Sequence, residues 1–424
     1  MRVYTNKALF TICDIVIYMF SKSIIYLDNA SATPIDKSVL KLMSSYNKDY
    51  FSNASAIHGN GVKVREIIEK SRGNVAKQLN AHSDEIIFTG SSTESNALAI
   101  LGVVNNFKLN NKGIVPHIIT SVIEHPAVLE NTKMLLERDE VEITYIKVNE
   151  EGIINPKDVQ EAIKENTILV SIMYANNEIG TIEPLQEIAK EIRHYKKISR
   201  QNIFPIFHTD ATQAINYLDI SNVEKLGVDM MSFNGSKIYG PKGIGVLYKK
   251  RSIELASLYR GGDQEFGLRS GTEDVASIAG IALALLITNK IKQKESERLI
   301  KLRDYAIDKL LNIKVGSYKI ILNGSKEIRL PNNINISIPG ISSELLVIEL
   351  DAKGIEVSSK SACKSGEEGG SYVLEALKIL GEKRINEEIG SLRVTLGRQT
   401  TKAQMDRFVS VLIKILEKYN KWKK

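Results

Sequence analysis

From about residue 85 onward the chain alternates short β-branched runs with longer stretches of helical periodicity, and few folds accept that rhythm. Ile86-Ile-Phe-Thr89 precedes a helix expected from about Ser92, and His117-Ile-Ile-Thr-Ser121 precedes one from Pro126. Further strand-like runs follow at Val141–Val148, Thr167–Met173, Ile203–Thr209 and Val228–Phe233, with helical patterns between most of them. Strands this apolar are buried on both faces, and helical connections make neighbouring strands parallel. The expectation is an α/β fold, a largely parallel sheet with helices on both sides. Gly243-Ile-Gly-Val-Leu-Tyr248 reads as one more strand, for which an antiparallel direction is open.

The rhythm changes around residues 260–275. A proline-free helical stretch runs from Val275 to about Leu311. After it, strands at Tyr318–Leu322, Ile334–Ile338, Ile355–Ser358 and Leu392–Leu396 mix with helices, which suggests a smaller α+β domain. A last helix is predicted from about Thr401 to Tyr419, because Phe408, Val411, Leu412 and Ile415 recur at helical spacing. The expected division is a large domain over 24–270, its N-terminal segment packing toward the small domain, and a small C-terminal domain over 271–424.

Composition bounds the function. The 424 residues are 43% hydrophobic and 25% charged, enough for two cores. Two cysteines, Cys13 and Cys363, exclude a disulfide framework and a cysteine-rich metal site, and they suit a reducing cytoplasm. The net charge of +7 arises from lysines mixed with glutamates. No nucleic-acid motif accompanies it, so a solvated surface is the better reading. Residues 8–20 are apolar but include Asp14, fall short of the roughly 20 residues that span a bilayer, and lack a small-residue cleavage site. Residues 1–23 are therefore read as an extension, or as the result of a start at Met19, and no later stretch is expected to cross a membrane.

In such a sheet, ligands bind at the carboxyl ends of the strands, where helix N-termini aim backbone N–H groups at anions. This chain concentrates polar residues there. Gly90-Ser-Ser-Thr-Glu-Ser-Asn96 follows the first strand and suits a phosphate, although a plain helix cap explains the same residues. Glu124-His125-Pro126 ends the next strand, and a lone histidine is more often structural than catalytic. Asn176-Asn-Glu-Ile-Gly180 is a turn-forming cluster, and Asp210, with Gln213 three residues on, stands at another strand-to-helix turn where an N-cap competes. The decisive element is Ser232-Phe-Asn-Gly-Ser-Lys237, which puts a lysine directly after a buried strand. A Schiff-base lysine needs this setting, since partial desolvation favours the neutral amine and the sheet fixes its direction. Phosphate cradle, strand-end aspartate and strand-end lysine together suit a pyridoxal phosphate site.

On these residues the chain resembles the NifS/IscS-type cysteine desulfurases, class V of the fold-type I pyridoxal phosphate enzymes. The likeness runs from about Ile25 to the C-terminal helix. It includes Tyr26-Leu-Asp-Asn-Ala-Ser-Ala-Thr-Pro34, Phe88–Asn96, Glu124–Val128, Val170–Met173, Asn176–Gly180, His208–Gln213, Lys237–Gly245, Arg269-Ser-Gly-Thr272, Ser361-Ala-Cys363 and Leu392–Arg398. The resemblance implies pyridoxal 5'-phosphate held covalently by Lys237, which later moves the Cα proton. Asp210 would face the pyridinium nitrogen, His125 would stack on the ring, and Asn177 and Gln213 would reach its phenolic oxygen side. Ser92, Thr93, Asn234 and Ser236 would surround the phosphate, with Thr272 supplied by the partner of a homodimer. Arg393 would clamp the carboxylate of L-cysteine, with Asn29 also at the substrate.

Cys363 lies among small and polar residues in 358–371, where Lys360 and Lys364 favour the thiolate. In the resembling family this cysteine takes the substrate's sulfur as a persulfide and leaves alanine. The implied acceptor is an iron–sulfur scaffold or a tRNA-thiolation protein. No resident metal is expected, and transient ligation of an iron–sulfur cluster by Cys363 is compatible with the resemblance. Neither nucleic acid nor membrane is expected as a direct partner.

Two departures stand out. Ser236 replaces the usual histidine before the lysine, and Asn234 replaces a usual serine; Ala97 also stands where an asparagine is expected. A selenocysteine lyase or a class V aminotransferase would share the fold, but an aminotransferase has no need of Cys363. A noncatalytic sulfur-transfer scaffold would lack a borohydride-sensitive visible absorbance band. The expected activity is cysteine desulfuration by an active, divergent enzyme.

Overall fold

A computed structural model of the chain describes residues 24–200, 203–359, 371–377 and 389–422. The alternating pattern folds into one seven-stranded sheet. Its strands are β2 (Ile86–Thr89), β3 (His117–Ser121), β4 (Glu142–Ile146), β5 (Thr167–Ser171), β6 (Ile206–Asp210), β7 (Met230–Asn234) and β8 (Gly245–Lys249), preceded in the chain by the short β1 (Ile25–Tyr26). The order is β2-β8-β7-β6-β5-β3-β4. Strands β4, β3, β5, β6 and β7 pair in parallel; β8 runs antiparallel to both β7 and β2. Every residue of β2, β3, β5 and β6 is buried, as the apolar runs require. The antiparallel option left open for the Gly243–Tyr248 run is the one realised.

Among the described residues four more strands follow: β9 (Ile321–Leu322), β10 (Asn333–Pro339), β11 (Ile355–Glu356) and β12 (Ile389–Thr395). Strand β10 lies between β12 and β9 in an antiparallel sheet, and β1 pairs in parallel with β11. The N-terminal segment thus begins beside C-terminal elements. Leu27 donates its amide to the Glu356 carbonyl at 2.9 Å, and its own carbonyl accepts from Thr395 N–H at 2.6 Å. That pairing brings residues 28–31 beside β12, the strand that carries Arg393.

The Val275–Leu311 helix has its predicted bounds. By length and composition it could cross a membrane, against the expectation that no later stretch would. Here it is a core helix: Ile278, Ile281, Ala284 and Leu285 are buried in the main apolar cluster. It packs against the helices Lys37–Asp49 and Gly59–Leu79 and the C-terminal Lys402–Trp422 helix. Its composition is that of a helix enclosed on several sides.

Candidate active site

The carboxyl ends of β6 and β7 deliver Asp210, for which an N-cap role competed, and Lys237, the residue of the element that sequence marked as decisive. Asp210 closes β6 and is buried. Its Oδ1 accepts from the Thr212 amide at 2.9 Å, and its Oδ2 accepts from Asn96 Nδ2 at 2.7 Å. Beyond β7, a single 3₁₀ turn over Gly235–Lys237 presents Lys237, whose ammonium donates to the Ser31 carbonyl. Thr33 fastens this turn from the N-terminal segment. Its hydroxyl donates to the Ser236 carbonyl at 3.0 Å and accepts from the Tyr239 amide at 2.8 Å. Tyr239 sits in the left-handed region at φ 60°, a conformation costing roughly 1–2 kcal/mol for a non-glycine residue. Its hydroxyl accepts the Arg398 amide at 2.7 Å, and the Arg398 guanidinium stacks 3.8 Å from its ring centroid, contacts that offset the strain.

The residues expected to surround a phosphate gather where the Ser92–Asn110 helix begins. Ser91 caps it by accepting from the Glu94 amide, leaving Ser92 and Thr93 in the first turn. First-turn amides lack intrahelical partners and suit an anion. Asn234 Nδ2 donates to Ser92 Oγ at 2.8 Å, and Ser236 Oγ donates to Asn234 Oδ1 at 3.1 Å. The two residues that depart from the family pattern therefore touch each other and reach across to the cradle. Strand β8 approaches so closely that a Cβ on Gly245 would collide with the Ser91 backbone, so this position accepts only glycine.

His125 caps the Pro126–Glu137 helix, its Nδ1 accepting from the Ala127 amide at 3.1 Å. Burial pushes its ring below the usual histidine range; Asp210 opposes that shift, and Lys237 and Arg393 reinforce it. The histidine is neutral near pH 7, with the three charged groups of the site around it. Glu124 beside it is fully buried and pushed up to about 8, chiefly by desolvation. Its Oε1 accepts from Ser121 Oγ at 2.7 Å and the Met173 amide at 2.9 Å.

Arg393 enters from β12. It is 2% exposed and donates to Asp28 Oδ1 at 2.9 Å, Ser31 Oγ at 2.7 Å and the Asn177 carbonyl at 3.2 Å. Its Nε and the Asn177 Oδ1 are buried without a partner among the described residues. Gln213 Nε2 donates to the Ala30 carbonyl at 3.0 Å, and Asn29 Nδ2 to the Thr395 carbonyl at 2.8 Å. One constellation thus unites Asp210, Lys237, His125, Ser92, Asn234, Ser236, Arg393, Asn177, Gln213 and Asn29. Thr93 is exposed at its rim, and Thr272 is exposed.

Cys363 lies outside the described residues, but both flanks of its segment adjoin the site. Ser358 exchanges backbone hydrogen bonds with Arg393 (3.2 and 2.7 Å), Ser371 Oγ donates to Glu178 Oε2 at 2.5 Å, and Tyr372 OH donates to the Glu124 carbonyl at 2.6 Å. Ser31, Thr33, Tyr239 and Tyr372 were not singled out from sequence. Ser31, Thr33 and Tyr239 lie in stretches that carry the resemblance, but their contacts join residues far apart in the chain, which no local pattern announces.

A helix N-terminus lined by hydroxyl and amide groups, a buried carboxylate and a strand-end lysine on this fold suit a pyridoxal phosphate-dependent enzyme. The aminotransferase class-V family model matches residues 25–408, and the chain belongs to that family of pyridoxal phosphate enzymes. Within it, the chain is 44% identical over 394 residues to the cysteine desulfurase IscS of Dictyoglomus turgidum, covering 93% of this chain and 95% of that one. Among solved structures, a NifS-like protein superposes with a TM-score of 0.82 at 32% identity, covering 93% of this chain and 99% of the other. SspA in complex with cysteine superposes with a TM-score of 0.71 at 33% identity, over 88% and 98% of the two chains.

The site fits the family's cofactor on its own terms. Ser92, Asn234 and Ser236 gather hydroxyl and amide groups at a helix N-terminus, which suits a phosphate. Asp210 ends β6 as a buried acceptor. Asn177 Oδ1 and Arg393 Nε supply unpaired polar atoms that a bound ligand would satisfy.

Proposed function

We propose that this chain is a cysteine desulfurase, taking sulfur from L-cysteine, releasing L-alanine and holding the sulfur as a persulfide on Cys363. The reading is carried by the convergence of Asp210, Lys237 and His125 at the carboxyl ends of β6, β7 and β3 in one sheet, with Arg393 entering from the second sheet. Pyridoxal 5'-phosphate, when bound, supplies the aldehyde that links to an amine and the ring that accepts electrons from the substrate's Cα.

Ser92, Thr93, Asn234 and Ser236 hold the phosphate, and Thr272 reaches the partner's site in a homodimer. Asp210 keeps a proton on the ring nitrogen, a task for a buried carboxylate. His125, a neutral imidazole, would stack on the ring, and Asn177 and Gln213 would reach its phenolic oxygen side. Lys237 holds the cofactor and then carries the proton at Cα, as a half-buried amine in reach of the site can.

Arg393 presents the planar fork that a substrate carboxylate requires, with Asn29 beside it. Its present partners Asp28 and Ser31 hold the guanidinium in place. The Cys363 thiolate attacks the substrate's sulfur; the carbon–sulfur bond breaks, its electrons stay with carbon, and protonation there gives alanine. The sulfur then passes to an iron–sulfur scaffold or tRNA-thiolation protein, in the cytoplasm.

Purified protein supplied with pyridoxal phosphate and L-cysteine should release alanine, and sulfide when a thiol reductant is present. Cys363→Ser should keep the cofactor's visible absorbance and lose persulfide formation. Normal desulfuration by that variant would remove Cys363 from the mechanism. Preferential turnover of selenocysteine would move the chain to the lyase reading.

A further inference from the structure

We infer that Asn96 is a positioning residue for this reaction, fixing the direction of the Asp210 carboxylate; the inference rests on the pyridoxal phosphate reading above. Asn96 is fully buried, and its Nδ2 donates to Asp210 Oδ2 at 2.7 Å. Its Oδ1 has no partner among the described residues, so the amide is held here by the one bond it gives to the acid. Asp210 is fixed on its other oxygen by the Thr212 amide at 2.9 Å. Two donors on two oxygens define the carboxylate plane; with one alone, the group turns about its Cβ–Cγ bond.

The helix explains why an asparagine serves. Ser92 and Asn96 are four residues apart in the Ser92–Asn110 helix and share a face. Ser92 accepts from Asn234 at the end of β7, and Asn96 donates to Asp210 at the end of β6. One helix face is therefore fastened to two neighbouring strand ends, and it sets the distance between the phosphate cradle and the acid that faces the ring nitrogen. A lysine at position 96 would neutralise the carboxylate that must stay negative, and a second acid would repel it. A neutral donor holds the carboxylate without cancelling its charge.

The test uses full-length Asn96→Leu, which removes the donor at similar volume, and Asn96→Asp, which keeps the shape and reverses the electrostatics. Cofactor dissociation constants, visible circular dichroism of the bound cofactor and the kcat and KM for L-cysteine are measured beside thermal unfolding of the cofactor-free form. Losing one hydrogen bond to a charged group corresponds to roughly a ten- to hundredfold change in an equilibrium constant. Weaker cofactor binding on that scale is expected in Asn96→Leu, with altered dichroism, lower kcat and little change in KM. Asn96→Asp should be more severely affected at neutral pH. Variants that melt earlier but keep wild-type dichroism, affinity and kcat would overturn the inference, leaving Asn96 a packing residue. Should the wild-type chain itself fail to bind pyridoxal phosphate, the reading beneath the inference falls instead. If Asn96→Leu does not fold, the isosteric Asn96→Asp carries the same decision.

Discussion

Two buried histidines in the large sheet have nearly the same surroundings and different standing. His208 in β6 bridges Ser171 Oγ on β5 and Ser232 Oγ on β7, both at 2.9 Å. His117, the first residue of β3, bridges Thr167 Oγ1 on β5 and Thr144 Oγ1 on β4, both at 2.8 Å. Each ties three strands together through hydroxyls, and burial pushes each down to about 4. What differs is the end of the sheet. His208 stands two residues before Asp210, where strands run into helix N-termini; His117 stands where a strand begins. Local chemistry makes a rung of each, and only position in the sheet makes one of them a neighbour of the site.

The largest expected effect tests whether the carboxyl end carries the chemistry. Lys237→Ala should lower alanine formation by about 10³-fold or more, a loss of the size that removing a positioned acid–base group causes. The wild-type visible spectrum should vanish with it. Turnover within tenfold of wild type would separate this strand end from catalysis. Next come the rungs themselves. His208→Leu strands the buried Ser171 and Ser232 hydroxyls and should destabilise the fold by about 2–4 kcal/mol in urea unfolding; His117→Leu should cost less, about 1–2 kcal/mol, because Thr144 is half-buried and Thr167 Oγ1 keeps the Lys164 amide. Only His208→Leu should also lower kcat, because β6 carries Asp210. Equal kcat losses in both would erase the distinction between the two ends.

Much of that distinction was legible in the sequence. Apolar runs of strand length, each followed by a helical pattern, announce a parallel sheet, and Asp210 and Lys237 announce themselves by following such runs at once. The bounds shifted where local signals are weak. The Tyr318–Leu322 run shortens to Ile321–Leu322 with an isolated bridge between Val315 and Tyr318, and the Ile203–Thr209 run becomes Ile206–Asp210, starting just after Pro205. The contacts that tether the site were not legible. Ser31 meets both Lys237 and Arg393 across more than 200 residues, and Thr33 reaches the lysine turn over a similar span. These bonds exist because β1 and Asp28 pair with C-terminal strands. A serine or threonine in such a segment reads from sequence as an ordinary turn residue.

Buried acids sharpen the comparison through pH. Glu124, at the catalytic end, and Glu183, which accepts from the Ile154 amide at 2.9 Å, are both pushed up to about 8 by desolvation from an ordinary 4.5. The folded protein keeps protons on them that the unfolded chain has released. Their contribution is full below about pH 4.5 and declines as pH rises toward 8. The two histidines work in the opposite sense, their contribution growing from about pH 4 to 6.5. Below 6.5 the slopes oppose each other; from there to 8 the acids dominate, with Lys292, pushed down to about 8 by burial, opposing them only near the top of the window. Stability should therefore fall between about pH 6.5 and 8, by roughly 1–2 kcal/mol per acid. Glu183→Gln should remove about half of that slope without touching the site. A Tm that is flat or rising across this window would contradict the assignment.

The smallest effect lies within the cradle. Ser236 donates to Asn234 Oδ1, which leaves the Asn234 amide nitrogen turned toward Ser92. This orientation is what the serine contributes where the family has histidine, so the two departures should act as one unit. In a double-mutant cycle, Ser236→Ala and Asn234→Ala should each weaken cofactor binding, and the double variant should lose less than the sum by about 1 kcal/mol. Once Asn234 is gone, Ser236 has nothing to orient. At the far end of the sheet, His117→Leu combined with either variant should be additive within about 0.5 kcal/mol, as distant, unconnected sites are. Additivity inside the cradle would mean that the two residues bind the phosphate independently, and that the hydrogen bond between them is incidental to the site.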